Sequence, residues 1–258
     1  MKKQNPKMNK LWGMAIDLDK CTGCGECAVS CAQENNMPIP KDDSLVRRRV
    51  ALLELLRVTN DREEKYPNVK TAFLPKMCQH CSGEDKNDAT PPCLNACPVN
   101  AIDVGDDGVV GLAHQRCTGC RSCMAACPFN AIAFNIKKPQ HNGFEKSLNP
   151  DVPIPARGTS TKCTFCHHIW RREREKAAAL GNTDINAVTY KTACAAACPT
   201  GAIVFGDLND PESEVSRLHK DERALPLAYS GKVQLNTKVR YLTKASWLKD
   251  MMTFEQKR

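Results

Sequence analysis

Residues 21–31 read CTGCGECAVSC: four cysteines, Cys21, Cys24, Cys27 and Cys31, separated by two, two and three residues. The pattern returns at 117–127 as CTGCRSCMAAC, with Cys117, Cys120, Cys123 and Cys127. Two looser versions share its ends. CQHC at 78–81 is completed by CLNAC at 93–97, and CTFC at 163–166 by CAAAC at 194–198. All sixteen cysteines of the 258-residue chain fall into these four groups, and every group ends C-x3-C. Three continue alike, CPVNAI from 97, CPFNAI from 127 and CPTGAI from 198, whereas Ala32 follows Cys31. Repetition this regular indicates duplicated binding units.

Disulfides and metals are the usual supports of a chain whose apolar core is thin, and aromatic residues are only 5% here. A disulfide framework fits poorly. Cysteines crowded at such spacings would need distant partners to avoid strain. The opening MKKQNPKMNKLWGMAIDLDK also reads as neither a secretory signal nor a twin-arginine leader. Structural zinc sites take two Cys-x2-4-Cys or Cys/His pairs around one tetrahedral ion, a description that groups two and four satisfy by themselves. Groups one and three do not, because a single ion gives no reason for a third cysteine at strict spacing. A cubane cluster does, since its iron corners span a wider surface that a short loop can wrap. C-x2-C-x2-C-x3-C-P is the spacing of bacterial 4Fe-4S proteins, in which the fourth cysteine serves the other cluster of a pair. We expect that fourth cysteine at the start of a helix leading away from the loop, with the following proline in its first turn.

Groups two and three are joined only by 98–116, whose AIDVGDDGVVGLA reads as a hairpin turning at DDG. They are therefore expected to exchange fourth cysteines. Cys78, Cys81 and Cys93 join Cys127, and Cys117, Cys120 and Cys123 join Cys97. Groups one and four then pair across the chain, Cys21, Cys24 and Cys27 with Cys198, and Cys163, Cys166 and Cys194 with Cys31. The expected fold is α+β, with two ferredoxin-like halves and four 4Fe-4S clusters. One half comprises 12–34 with 159–206 and the other 75–134. A strand-rich insert (35–74), a connecting loop (135–158) and a C-terminal docking extension (207–258) complete the chain. HHIWRREREKAAALG reads as a helix ending at Gly181, and a further helix is expected with Asp210 as N-cap and Pro211 at its first position. The histidines are not needed as ligands, and His168 is expected to face solvent.

Clusters with four thiolates offer no open coordination position, so one-electron transfer is the chemistry that remains. There is no phosphate-cradling loop, dinucleotide fingerprint or radical-generating Cys-x3-Cys-x2-Cys run. The net charge of +8 alone names no partner, and the basic stretches lack the interleaved aromatics of a nucleic-acid binder. No stretch approaches the ~20 apolar residues of a membrane span.

The order of the groups, the long inserts and CTFC at 163–166 resemble the four-cluster iron–sulfur subunits of molybdopterin oxidoreductase complexes. IDLDKCTGCGECAVSCAQENNMP, YPNVKTAFLPKMCQHC and NPDVPIPARGTSTKCTFC are most similar to the branch that includes menaquinone reductase and alternative complex III. The resemblance implies that all sixteen cysteines are cluster ligands in the nested pairing. It also implies a non-catalytic subunit between a molybdopterin-type large subunit and a polytopic quinone-binding membrane subunit, in some complexes with a multihaem cytochrome c. The implied location is peripheral on the inner membrane, on the periplasmic side. A polysulfide- or tetrathionate-type terminal reductase, or a free polyferredoxin, is the alternative setting.

Overall fold

The centre of the molecule is β1 (Trp12–Asp17), an apolar strand buried at every position. Burial on both faces requires neighbours on both edges. β1 has antiparallel β8 (Ile203–Asp207) on one side and parallel β10 (Val239–Leu242) on the other, with β9 (Ala224–Leu225) beyond β10. The computed structural model describes residues 10–39, 50–60, 65, 67–82, 90–184, 186–227 and 235–253. Parts of the 35–74 insert, 40–49, 61–64 and 66, lie outside the described residues; its strands are an antiparallel hairpin of β2 (Leu53–Thr59) and β3 (Thr71–Met77). β4 (Ile102–Val104) and β5 (Val110–Leu112) form the hairpin at DDG, where Gly108 takes φ +75°. β6 (Ile132–Phe134) pairs antiparallel with β7 (Ser160–Lys162).

The scarce aromatic residues are concentrated beside β1. Trp12 packs against Tyr190 and Phe205 with ring centroids 4.9 and 5.5 Å apart, and Phe165 meets Phe205 at 5.3 Å. This main core extends to Met14, Ile16, Tyr241 and Leu248. A second, smaller core consists of Ile102, Val110 and Ile132 together with Cys93 and Cys123.

Four helices carry cysteines: α1 (Glu26–Glu34), α2 (Pro92–Asn95), α3 (Ser122–Ala126) and α5 (Ala193–Ala196). Each begins just before the third cysteine of its group, not at the fourth as expected. Pro98, Pro128 and Pro199 therefore follow the ends of short helices and stop them, since proline can neither donate to the helix ladder nor clear the preceding turn. Ala32 imposes no such stop, and α1 continues to Glu34. α4 (His167–Ala179) ends as the sequence indicates. Gly181 has φ +84°, its N–H donates to Ala178 O at 3.0 Å, and Asn182 N–H donates to Ala177 O at 2.9 Å.

The helix expected from Asp210 is corrected. α6 spans Glu214–His219, with Ser213 preceding it; Asp210 instead accepts the N–H of Glu212 at 2.9 Å, closing a turn before the helix. The tail, expected as a docking extension, also completes the centre of the fold by supplying β10 to the main sheet. In α7 (Ser246–Thr253), Leu248 and Met252 are buried in the main core. Their burial follows because β1 needs a second neighbour and that neighbour needs cover.

Candidate iron–sulfur centres

Each C-x2-C pair carries a left-handed residue just before its second cysteine: Gly23, His80, Gly119 and Phe165, at φ +74°, +46°, +75° and +52°. This conformation bends the loop around its own sulfurs. Phe165 N–H reaches Cys163 Sγ at 3.4 Å. At Gly119 only glycine fits, since an added Cβ would collide with Gly158 O. His80 and Phe165 hold the same conformation at a cost of ~1–3 kcal/mol each. Both are fully buried, and their rings stack at 3.7 Å between centroids.

The CP-x-N/G-A repeats use a second left-handed residue. Asn100, Asn130 and Gly201 have φ +48°, +47° and +62°. The turn brings Ala101 N–H to Cys97 Sγ at 3.2 Å and Ala131 N–H to Cys127 Sγ at 3.5 Å. Asn and Gly are the residues that enter this region at least cost. The repeat is plain in the sequence without this role, although an Asn or Gly recurring at a fixed offset was the available signal.

The chain brings the cysteines together across groups. Cys31, Cys163, Cys166 and Cys194 line one small cavity. Cys78, Cys81, Cys93 and Cys127 line another. Cys97, Cys117, Cys120 and Cys123 line a third. Cys21 and Cys27 lie within electrostatic reach of Cys24 and Cys198. The quartets also stand in line. Cys27 neighbours Cys31 and Cys194, Cys163 neighbours Cys78, and Cys93 neighbours Cys123. Exposure follows the same order. Cys24 and Cys120, in the two outer quartets, are exposed. In the two inner quartets Cys127 and Cys163 are half-buried, and the remaining cysteines are buried.

Burial raises the pKa of several of these thiols. It pushes Cys27 up to about 11, with Cys21 adding to the effect, and Cys194 up to about 12 against a hydrogen bond with Thr192. Cys31 lies well above its ordinary value through burial and then the neighbouring Cys163, Cys194 and Cys166. Such thiols stay protonated until a cationic centre displaces their protons. Among the described residues, no three His, Cys, Asp or Glu side chains are grouped to hold a single metal ion. Four cysteines lining a shared cavity supply the four thiolate ligands that a 4Fe-4S cluster takes.

The histidines serve the protein frame. His168, expected in solvent, is buried, with Nε2 2.8 Å from Glu34 Oε1, because α4 packs this face toward α1. His167 Nε2 is 2.9 Å from Asp107 Oδ2, and His80 Nδ1 accepts the N–H of Val110 at 3.1 Å.

These loops and paired helices define a 4Fe-4S-binding protein of ferredoxin type. Family models agree: a 4Fe-4S binding domain matches residues 12–33, a 4Fe-4S dicluster domain 116–202, and an LdpA Fe-S cluster-binding domain 86–137. The iron–sulfur cluster-binding subunit of menaquinone reductase from Nitratidesulfovibrio vulgaris is 40% identical over 92% of this chain and 91% of its own. The iron–sulfur subunit of arsenate respiratory reductase from a Shewanella species is 32% identical over 85% of this chain and 92% of its own. A tetrathionate reductase subunit from Salmonella typhimurium is 31% identical over 81% and 64% of the two chains. The chain belongs to this family of iron–sulfur subunits of multi-subunit oxidoreductases, and is an electron-transfer subunit, not a catalytic one. Among the described residues, no helix is long and apolar enough to cross a membrane.

Proposed function

We propose that the chain holds four 4Fe-4S clusters in the crossed quartets described above, two in the half formed by 12–34 with 159–206 and two in the half formed by 75–134. All sixteen cysteines are ligands in this reading. The observation that carries it is the cavity shared by Cys31 with Cys163, Cys166 and Cys194, residues far apart in sequence. When bound, such clusters accept and release single electrons. The protein buries most cysteines of the inner quartets, leaves Cys24 and Cys120 of the outer ones exposed, and sets cysteines of successive quartets beside one another. This arrangement suits conduction between two partners. Similarity to the iron–sulfur subunit of menaquinone reductase supports a quinone-linked setting. In this reading the chain relays electrons between a molybdopterin-type or cytochrome c partner and a quinone-binding membrane subunit, peripheral on the periplasmic face of the inner membrane. Similarity to the tetrathionate reductase subunit supports the second reading, the wire of a terminal reductase.

Proteins that co-purify from mildly solubilised membranes separate the two. A multihaem cytochrome c, a molybdopterin-type subunit and a polytopic membrane protein are expected; a molybdenum-containing subunit without the cytochrome would favour the terminal reductase. The purified chain should contain about sixteen irons, and about four would contradict the four-cluster reading.

A further inference from the structure

One quartet is flanked by two buried lysines. Lys162, at the end of β7, is 3% exposed and lines the cavity of Cys78, Cys81, Cys93 and Cys127. Its Nζ donates to Val110 O, to Cys163 O at 2.9 Å, and toward Cys78 Sγ at 3.7 Å. Three acceptors around one nitrogen use the three donors of an ammonium group. Lys238 is 7% exposed; its Nζ donates to His80 O at 2.9 Å, and it lies within electrostatic reach of Cys81 and Cys78. Among the described residues neither lysine has an ion pair. The nearby Asp107 carboxylate is engaged by His167 and by the N–H of Val109 at 3.1 Å.

Buried ammonium groups are costly without a negative counterpart. A quartet of thiolates around an iron–sulfur core supplies one, and becomes more negative on taking an electron. The adjacent inner quartet has no such cation among the residues lining its cavity. Its polar neighbours are Asn35, whose Nδ2 lies 3.8 and 3.9 Å from Cys31 and Cys166 Sγ, and Thr192, with the Glu34 charge acting on Cys166. Nearby charge and hydrogen bonds to sulfur are established determinants of cluster potential.

We propose that Lys162, with Lys238 behind it, raises the reduction potential of the centre held by Cys78, Cys81, Cys93 and Cys127, so that this centre takes an electron before its inner neighbour. Lys162 acts on the cluster through its charge and is a positioning residue for the electron. The proposal rests on the four-cluster reading.

The test is a redox titration of the purified holo-complex followed by electron paramagnetic resonance, comparing the native protein with Lys162→Met, Lys162→Arg and Lys238→Met. The relevant signal is the one altered in Cys127→Ser. Lys162→Met should lower its potential by at least about a tenfold change in the oxidised-to-reduced ratio, ~59 mV for one electron. Lys162→Arg should restore most of the shift, and Lys238→Met should produce a smaller shift in the same direction. An unmoved signal in Lys162→Met with iron retained overturns the proposal, as does an equal shift in Lys162→Arg. If Lys162→Met fails to load that centre, Lys238→Met decides, and an unmoved potential there overturns it. Fewer than four centres in the native protein would overturn the proposed function instead.

Discussion

The main apolar core and the smaller core around Ile102 are built from different materials. The main core gathers Trp12, Phe165, Tyr190 and Tyr241 around a sheet whose strands come from both ends of the chain. The smaller core buries Ile102, Val110 and Ile132 with Cys93 and Cys123, and the partly buried Leu94, Val104, Leu112, Met124 and Cys127 pack against them. Full burial of three aliphatic side chains is worth ~1.5–3 kcal/mol each and the partly buried neighbours add less, a modest sum against the backbone entropy of ordering the loops around them. The smaller core therefore depends on what its cysteines bind, whereas the main core has an apolar supply of its own.

The largest expected effect follows from that contrast. Removal of iron by chelation under reducing conditions should expose the backbone of β4, β5 and β6 before that of β1 and β10, because metal binding contributes directly to folding free energy. Amide hydrogen exchange measures this, and equal loss of protection in both regions would erase the distinction. Next, Cys31→Ser should damage the centre shared with Cys163, Cys166 and Cys194 while that of Cys21, Cys24 and Cys27 persists, with loss of about four irons per chain. Loss of the Cys21 centre alone would show that groups do not exchange their fourth cysteines.

A smaller effect is expected where the groups themselves differ. Ala32→Pro places in α1 the proline that stops the other three helices, and should cost ~3 kcal/mol in chemical denaturation, through a lost helical hydrogen bond and a clash with the preceding turn. Little change would mean that α1 contributes no stability beyond Cys31. The smallest concerns His219, whose Nε2 lies 2.9 Å from Met14 O. Burial lowers its pKa, outweighing that hydrogen bond. The folded state thus favours neutral histidine, so the contribution is full above the unfolded value of ~6.5 and is lost as pH falls from there toward the lowered folded value. His219→Gln should flatten that part of the melting-temperature profile, and an unchanged slope would assign it elsewhere.

Much of this was legible because the cysteine spacing is short-range and strict. The recurring spacing marks the four groups without remainder, and the hairpin at DDG lies where the turn residues indicate. What escaped depends on tertiary context. Helices α2, α3 and α5 begin one turn earlier than expected because the cysteine loop itself ends in a helical turn, and proline then limits each to four or five residues. The burial of His168 depends on Glu34, which no local pattern connects to it. Lys162 carries no motif beyond adjacency to Cys163, and its position beside Cys78 exists only once β7 has paired with β6. The tail's strand was hidden for the same reason, since its parallel partner β1 lies at the other end of the chain.

The central claim is that each centre is held by cysteines from two different groups. An anomalous difference map at the iron absorption edge, from crystals of the purified protein, tests it most directly. Four separate iron densities should appear, one bounded by Cys31 together with Cys163, Cys166 and Cys194, and one by Cys21, Cys24, Cys27 and Cys198. Iron bounded by Cys21, Cys24, Cys27 and Cys31 together would contradict it.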